Sequence, residues 1–152
     1  MKGELQYNKA QYIINKLYSR DYTIENKHCN KVDMYNLYLT YLRKSAYQGF
    51  PLAQYDLGQT YENINFWGKN PNYSPRKCVY WYKRAASNNI AAAFNNLAGF
   101  YESGEGVKQD LNFALELYKK AESLGDKDGR KNYQLLLRQL RKGSYLAKKD
   151  NL

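Results

Sequence analysis

The chain has little of what cross-links or interrupts a fold: its 152 residues include three prolines, two cysteines, two methionines and one histidine. So few prolines, with ten glycines, exclude a low-complexity or collagen-like polymer. The cysteines, Cys29 and Cys78, lie far apart, and with the lone His28 they cannot supply a structural zinc site. No long apolar run exists, and the mean hydropathy of -0.83 excludes a membrane-spanning helix. The first residues, Met1-Lys2-Gly3-Glu4-Leu5-Gln6-Tyr7-Asn8, lack the apolar stretch of a signal peptide. The expectation is a cytoplasmic protein with reduced thiols and no cofactor.

Catalytic patterns are missing as well. There is no glycine-rich phosphate loop, no His-Glu-x-x-His and no Gly-x-Ser-x-Gly. His28 and Cys29 are adjacent in a polar stretch, but a Cys/His nucleophile needs both side chains in reach and a third group to orient them. The carboxylate pairs Asp126/Asp128 and Glu102/Glu105 fall at helix ends and turns, where capping is their expected role. No enzyme is expected.

What the chain does have is tyrosine, 17 of them, beside five Phe and two Trp. That aromatic content argues against disorder, and the length suits one domain. Lys and Arg total 24 against 14 Asp and Glu, a net charge of +10. Tyr, Asn and Lys all have AT-rich codons, so genome bias is one account of the tyrosines. A recurring structural unit is the other, and a period tests it.

The period is present. Residues 41–62 (YLRKSAYQGFPLAQYDLGQTYE) align without a gap on 81–102 (WYKRAASNNIAAAFNNLAGFYE), sharing Ala46/Ala86, Ala53/Ala93, Leu57/Leu97, Tyr61/Tyr101 and Glu62/Glu102. A third copy aligns 78–89 (CVYWYKRAASNN) with 114–125 (ALELYKKAESLG). Ala53, Leu57 and Tyr61 stand at i, i+4 and i+8, one stripe of a helix. The equivalent stripe near the N-terminus is Ala10, Ile14 and Tyr18. Gly49, Asn89 and Gly125 fall at equivalent positions and read as left-handed helix ends. Asp33, Ser74-Pro75 and Asp110 read as helix starts. Residues 127–142 place Tyr133, Leu136, Leu137 and Leu140 on one face, and Gln134, Arg138, Gln139 and Arg141 on the other, as a capping helix should.

The expected fold is all-α, with seven helices at 4–19, 33–48, 51–63, 75–88, 91–103, 110–124 and 127–142, and no strands. They group into units 4–48, 51–88 and 91–124, a cap at 127–142, and a polar basic tail at 143–152. Residues 1–142 thus form a single helical-repeat domain.

Three segments carry a family resemblance: Ala53…Leu57-Gly58…Tyr61-Glu62, Trp81-Tyr82-Lys83-Arg84-Ala85-Ala86, and Tyr101-Glu102-Ser103-Gly104-Glu105-Gly106-Val107. The spacing Tyr101-x-x-Gly104-x-Gly106-Val107-x-x-Asp110-x-x-x-Ala114 resembles the inter-helix turn of Sel1-like repeats, relatives of the tetratricopeptide repeat. The resemblance implies an α-solenoid of antiparallel helix pairs that binds other proteins and is not catalytic. After Glu62 the chain departs from the pattern: a turn four residues longer, Asn63 to Ser74, carries Phe66, Trp67, Pro71 and Tyr73 and no Gly-x-Gly-Val. That loop either anchors a partner or folds back on the solenoid.

Candidate partner contacts are the non-stripe positions of first helices, Tyr55, Gln59, Glu62, Asn95, Asn96, Gly99 and Glu102. To these are added Phe66, Trp67 and Tyr73 of the loop and Arg138 and Arg141 of the cap. Net charge is +2 over 1–62, +5 over 63–90, -2 over 91–124 and +5 over 125–152, so the excess forms two blocks. The pairs Arg43-Lys44, Lys83-Arg84 and Lys119-Lys120 would form a ladder along one edge, or merely complement helix C-termini. The reading is a partner-protein scaffold facing an acidic surface: a small bacterial adaptor, or an immunity protein that neutralises a cognate toxin. The alternative is an RNA-binding helical repeat that uses its basic blocks.

Overall fold

Helix-forming stretches separated by residues that accept a left-handed backbone should stack as hairpins, and they do. The computed structural model of the chain describes residues 1–19, 30–65 and 68–149. His28, Cys29, Phe66 and Trp67 lie outside the described residues. Among the described residues there are seven helices: α1 (Glu4–Tyr18), α2 (Lys31–Tyr47), α3 (Pro51–Gln59), α4 (Pro75–Ala86), α5 (Ala91–Ser103), α6 (Leu111–Ser123) and α7 (Lys127–Lys149). α1 packs on α2, α3 on α4 and α5 on α6, while α7 covers α6 and part of α5. The result is an all-α solenoid of three helix pairs and a cap.

Local chemistry sets the element ends. Gly49, Asn89 and Gly125 all have positive φ, at 90°, 61° and 89°, so one left-handed turn recurs after α2, α4 and α6. Asp110 caps α6 by accepting the Phe113 N–H at 2.9 Å. Pro75 opens α4 at its first position, after Ser74. α2 differs from expectation. Its cap is Asn30, which accepts the Val32 N–H at 3.0 Å, and Asp33 sits inside the first turn facing the helix dipole. α7 also runs beyond the expected end at 142, as far as Lys149. The long turn is not strand-free either: β1 (Ile64–Asn65) pairs antiparallel with β2 (Gly68–Lys69).

The core has two parts. Ala10, Leu42, Ala46, Ala53, Leu57 and Trp81 centre one, and Tyr82, Ala93, Leu97, Tyr118 and Leu136 centre the other. Tyr61 packs against both. Burying a leucine-sized side chain among them stabilises by about 1.5–3 kcal/mol. The stripes Ala53-Leu57 and Ala93-Leu97 are buried as expected. In α1 the buried set is Ala10, Ile13 and Leu17 rather than Ala10, Ile14 and Tyr18, and Tyr18 is 43% exposed. α1 packs chiefly on α2, so its buried face turns toward that one helix.

Candidate protein-binding surface

Small residues and amides on the outer side of α5 leave a recess there. Gly99 contributes no side chain, and a Cβ at that position would meet only the Tyr118 hydroxyl, at 3.8 Å. The recess has a volume of ≈ 420 Å³ and is bounded by Glu62, Asn95, Asn96, Gly99, Tyr118 and Asn132, among others. Four of these, Glu62, Asn95, Asn96 and Gly99, are among the contact positions read from the sequence.

A hydrogen-bonded chain crosses this surface. Asn132 of α7 donates to Asn95 Oδ1 at 2.9 Å, Asn95 to Asn96 Oδ1 at 3.3 Å, and Asn96 to Glu62 Oε1 at 3.3 Å. Glu62 Oε1 also accepts the hydroxyl of Tyr82, a ring wholly buried in α4. Tyr55 stacks on Tyr82 with ring centroids 5.7 Å apart, and Gln59 donates to its hydroxyl at 3.3 Å. Five of the sequence candidates therefore belong to one polar network resting on Tyr82: Tyr55, Gln59, Glu62, Asn95 and Asn96. Glu102 does not face the recess in the same way; it accepts the Tyr118 hydroxyl at 2.7 Å.

Carboxylate–phenol pairing recurs through the chain. Tyr7 donates to Asp56 at 3.0 Å, beside a 2.8 Å bond from Gln11, and Tyr73 donates to Glu105. Burial pushes the Tyr7, Tyr82 and Tyr118 hydroxyls above the usual tyrosine range, and the neighbouring carboxylates push them further. Tyr73 is pushed up to about 12, first by its bond to Glu105. The Asp56 carboxyl is raised by burial against the lowering effect of its two donors. Glu102 and Glu105 are thus phenol acceptors rather than caps, whereas Asp126 does cap α7 by accepting the Gly129 N–H at 2.5 Å.

Among the described candidates, Arg138, Arg141 and Tyr73 are not lining residues of the recess, although Tyr73 reaches its edge through the bond to Glu105. Arg138 and Arg141 are exposed on α7. Tyr73 is half-buried at the end of the long turn. Asn70, which sequence reasoning passed over, holds that turn: it is 3% exposed and its amide donates to the Thr60 and Glu62 carbonyls at 2.9 and 2.7 Å. Its signal was an Asn-Pro-Asn step, which says turn but not burial. The basic pairs of α2, α4 and α6 are all exposed. Lys83 and Arg84 lie over aromatic rings, Lys83 at 5.4 Å from the Tyr101 centroid and Arg84 at 5.6 Å from Tyr80.

Cys78 is a buried free thiol that burial pushes up to about 12, so little thiolate forms near neutral pH. Among the described residues no cluster of His, Cys, Asp and Glu could hold a metal ion. No helix among them is long and apolar enough to cross a membrane.

Comparison with known proteins places these features. The Sel1 repeat model matches residues 51–90 and 91–126, the α3–α4 and α5–α6 units. The crystal structure of a Sel1 repeat protein from Oxalobacter formigenes is 28% identical with a TM-score of 0.66, over 87% of this chain and 89% of that one. A protective antigen present in uropathogenic Escherichia coli strains, displaying an SLR fold, is 26% identical with a TM-score of 0.58. That match covers 85% of this chain and 27% of the antigen. Helicobacter pylori cysteine rich protein B shares the fold at 22% identity and a TM-score of 0.54, over 85% of this chain and 95% of that one. Curated proteins give no significant match.

Proposed function

We propose that this chain, which belongs to the Sel1 repeat family, holds a partner protein against the recess on α5 and works as a non-catalytic scaffold. Sel1 repeats are generally protein–protein interaction modules, and members of the family are typically non-enzymatic scaffolds. The observation that carries the reading is the recess itself. Amides of Asn95, Asn96 and Asn132 line it on an ordered base, and Gly99 leaves it open. Amide side chains both donate and accept, which suits a peptide backbone whose own groups alternate in the same way. The finer reading is a cytoplasmic bacterial adaptor, or an immunity protein that neutralises a cognate toxin, with the exposed cations meeting an acidic partner surface.

Capture of the tagged chain from its native host, before and after nuclease treatment, tests this. The expected result is one stoichiometric protein that is retained by the wild type and lost from Gly99→Phe, which places a ring in the recess beside the Tyr118 hydroxyl, with helicity unchanged by circular dichroism. Retention of the protein by Gly99→Phe would refute the reading. Recovery of nucleic acid alone, before nuclease, would favour the RNA-binding alternative, and the identity of a captured protein separates adaptor from immunity protein.

A further inference from the structure

The long turn builds a second recess on a different part of the molecule, with a different chemistry. It has a volume of ≈ 630 Å³ and lies between α2 and the segment from Asn70 to Lys77. α2 contributes Lys31, Tyr35 and Arg43 to its wall, and the facing side contributes Tyr61, Tyr73 and Lys77. Among the described residues no Asp or Glu lines it. Lys31, Arg43 and Lys77 are exposed, and none forms an ion pair among the described residues. The cations are nonetheless placed. Lys77 Nζ stands 4.8 Å from the Tyr61 ring centroid, and the Arg43 charge partly offsets the effect of burial on the Tyr35 hydroxyl. The far wall is anchored, because Asn70 ties it to the end of the α3 unit through two carbonyls.

We propose that this recess binds an acidic segment of a protein partner, its carboxylates meeting Lys31, Arg43 and Lys77 and one of its apolar or aromatic side chains entering between the tyrosine rings. The size is that of a cavity able to enclose a side chain and the backbone around it. Val32, Leu39 and Pro71 complete an apolar lining that suits a side chain better than a sugar–phosphate strand, which needs a continued basic track. The inference rests on the scaffold reading in requiring a protein partner, but it shares no lining residue with the α5 recess, which it meets only through the Tyr73–Glu105 bond.

Fluorescence anisotropy with a labelled peptide of alternating Glu and Phe tests it, beside the Gln–Phe counterpart and an oligouridylate of equal charge. The Glu–Phe peptide should bind the wild type and the Gly99→Phe variant alike. Lys31→Glu, Arg43→Glu and Lys77→Glu should each weaken it by about tenfold, with helicity unchanged by circular dichroism. Equal binding of the Gln–Phe peptide, or indifference to all three charge reversals, would overturn the proposal. So would tighter binding of oligouridylate that the same reversals abolish. If peptide binding fails while Gly99→Phe still loses the native partner, only this recess is refuted. If the peptide binds as described but the native host yields no protein partner, only the scaffold reading is.

Discussion

At the scale of single residues, the tyrosines divide by what their hydroxyls do. Tyr82 and Tyr118 occupy the same position in two units, and each hydroxyl donates a hydrogen bond to a glutamate, Glu62 just past the end of α3 and Glu102 in the last turn of α5. A hydrogen bond to a charged acceptor contributes about 1.5–3 kcal/mol, and losing it leaves a partly buried carboxylate short of a donor. Tyr82→Phe should therefore cost about 2 kcal/mol in denaturant unfolding, while Tyr80→Phe, at a half-exposed ring, should be near neutral. The pH dependence has a definite sign. Tyr7, Tyr38, Tyr82 and Tyr118 are raised in the folded chain, mainly by burial, above the unfolded value of 10.0. The unfolded chain thus loses protons first, and stability present below pH 10 falls as pH rises beyond it. Urea melts across that range, read with tyrosinate absorbance, should show stability dropping and those four rings ionising only on unfolding.

At the scale of the helix, two glycines without positive φ have opposite roles. Gly58 in α3 faces the buried ring of Tyr82, and a Cβ there would lie 2.7 Å from it. A Cβ on Gly99 in α5 would meet only the Tyr118 hydroxyl, at an ordinary 3.8 Å. Gly58→Ala should destabilise by about 1–3 kcal/mol through overpacking, and Gly99→Ala should stabilise by about 0.5–1 kcal/mol through reduced backbone entropy. Thermal melts of the two variants check both signs, and equal shifts would contradict the difference in packing. The turn after α5 shows a third use: Gly106 has φ 71°, and a Cβ there would lie 2.6 Å from the Pro75 backbone at the start of α4. The Gly-x-Gly-Val turn is therefore also a contact between units.

At the scale of the whole molecule, several of the described carboxylates pair with phenols rather than with cations. Asp56, Glu62, Glu102 and Glu105 accept from tyrosine hydroxyls. The only cation–carboxylate bridges among the described residues whose side chains are placed are Met1 to Glu4 and Arg130 to Glu122. A net charge of +10 leaves self-repulsion that salt should screen. The melting temperature is expected to rise between low and moderate sodium chloride. A fall would mean that ion pairs outweigh repulsion.

The sequence by itself determined the repeat, because periodic small and aromatic residues with left-handed stops allow few arrangements other than stacked helix pairs. The stripes Ala53-Leu57 and Ala93-Leu97, the stops at Gly49, Asn89 and Gly125, and the Asp110 cap were all legible, since each acts within one or two turns of chain. Asn30 displacing Asp33 as a cap was a local competition between two acceptable residues. Contacts between helices were not legible: the phenol–carboxylate pairs span 16 to 49 residues, and the Asn132–Asn95–Asn96–Glu62 chain draws on the cap and two units. Only the tertiary structure decided that Gly99 opens a recess while Gly58 seats a ring. Only it showed that Asn70 fastens the long turn beside Lys31, Arg43 and Lys77, because what a side chain meets across a packed interface depends on the spacing of whole helices.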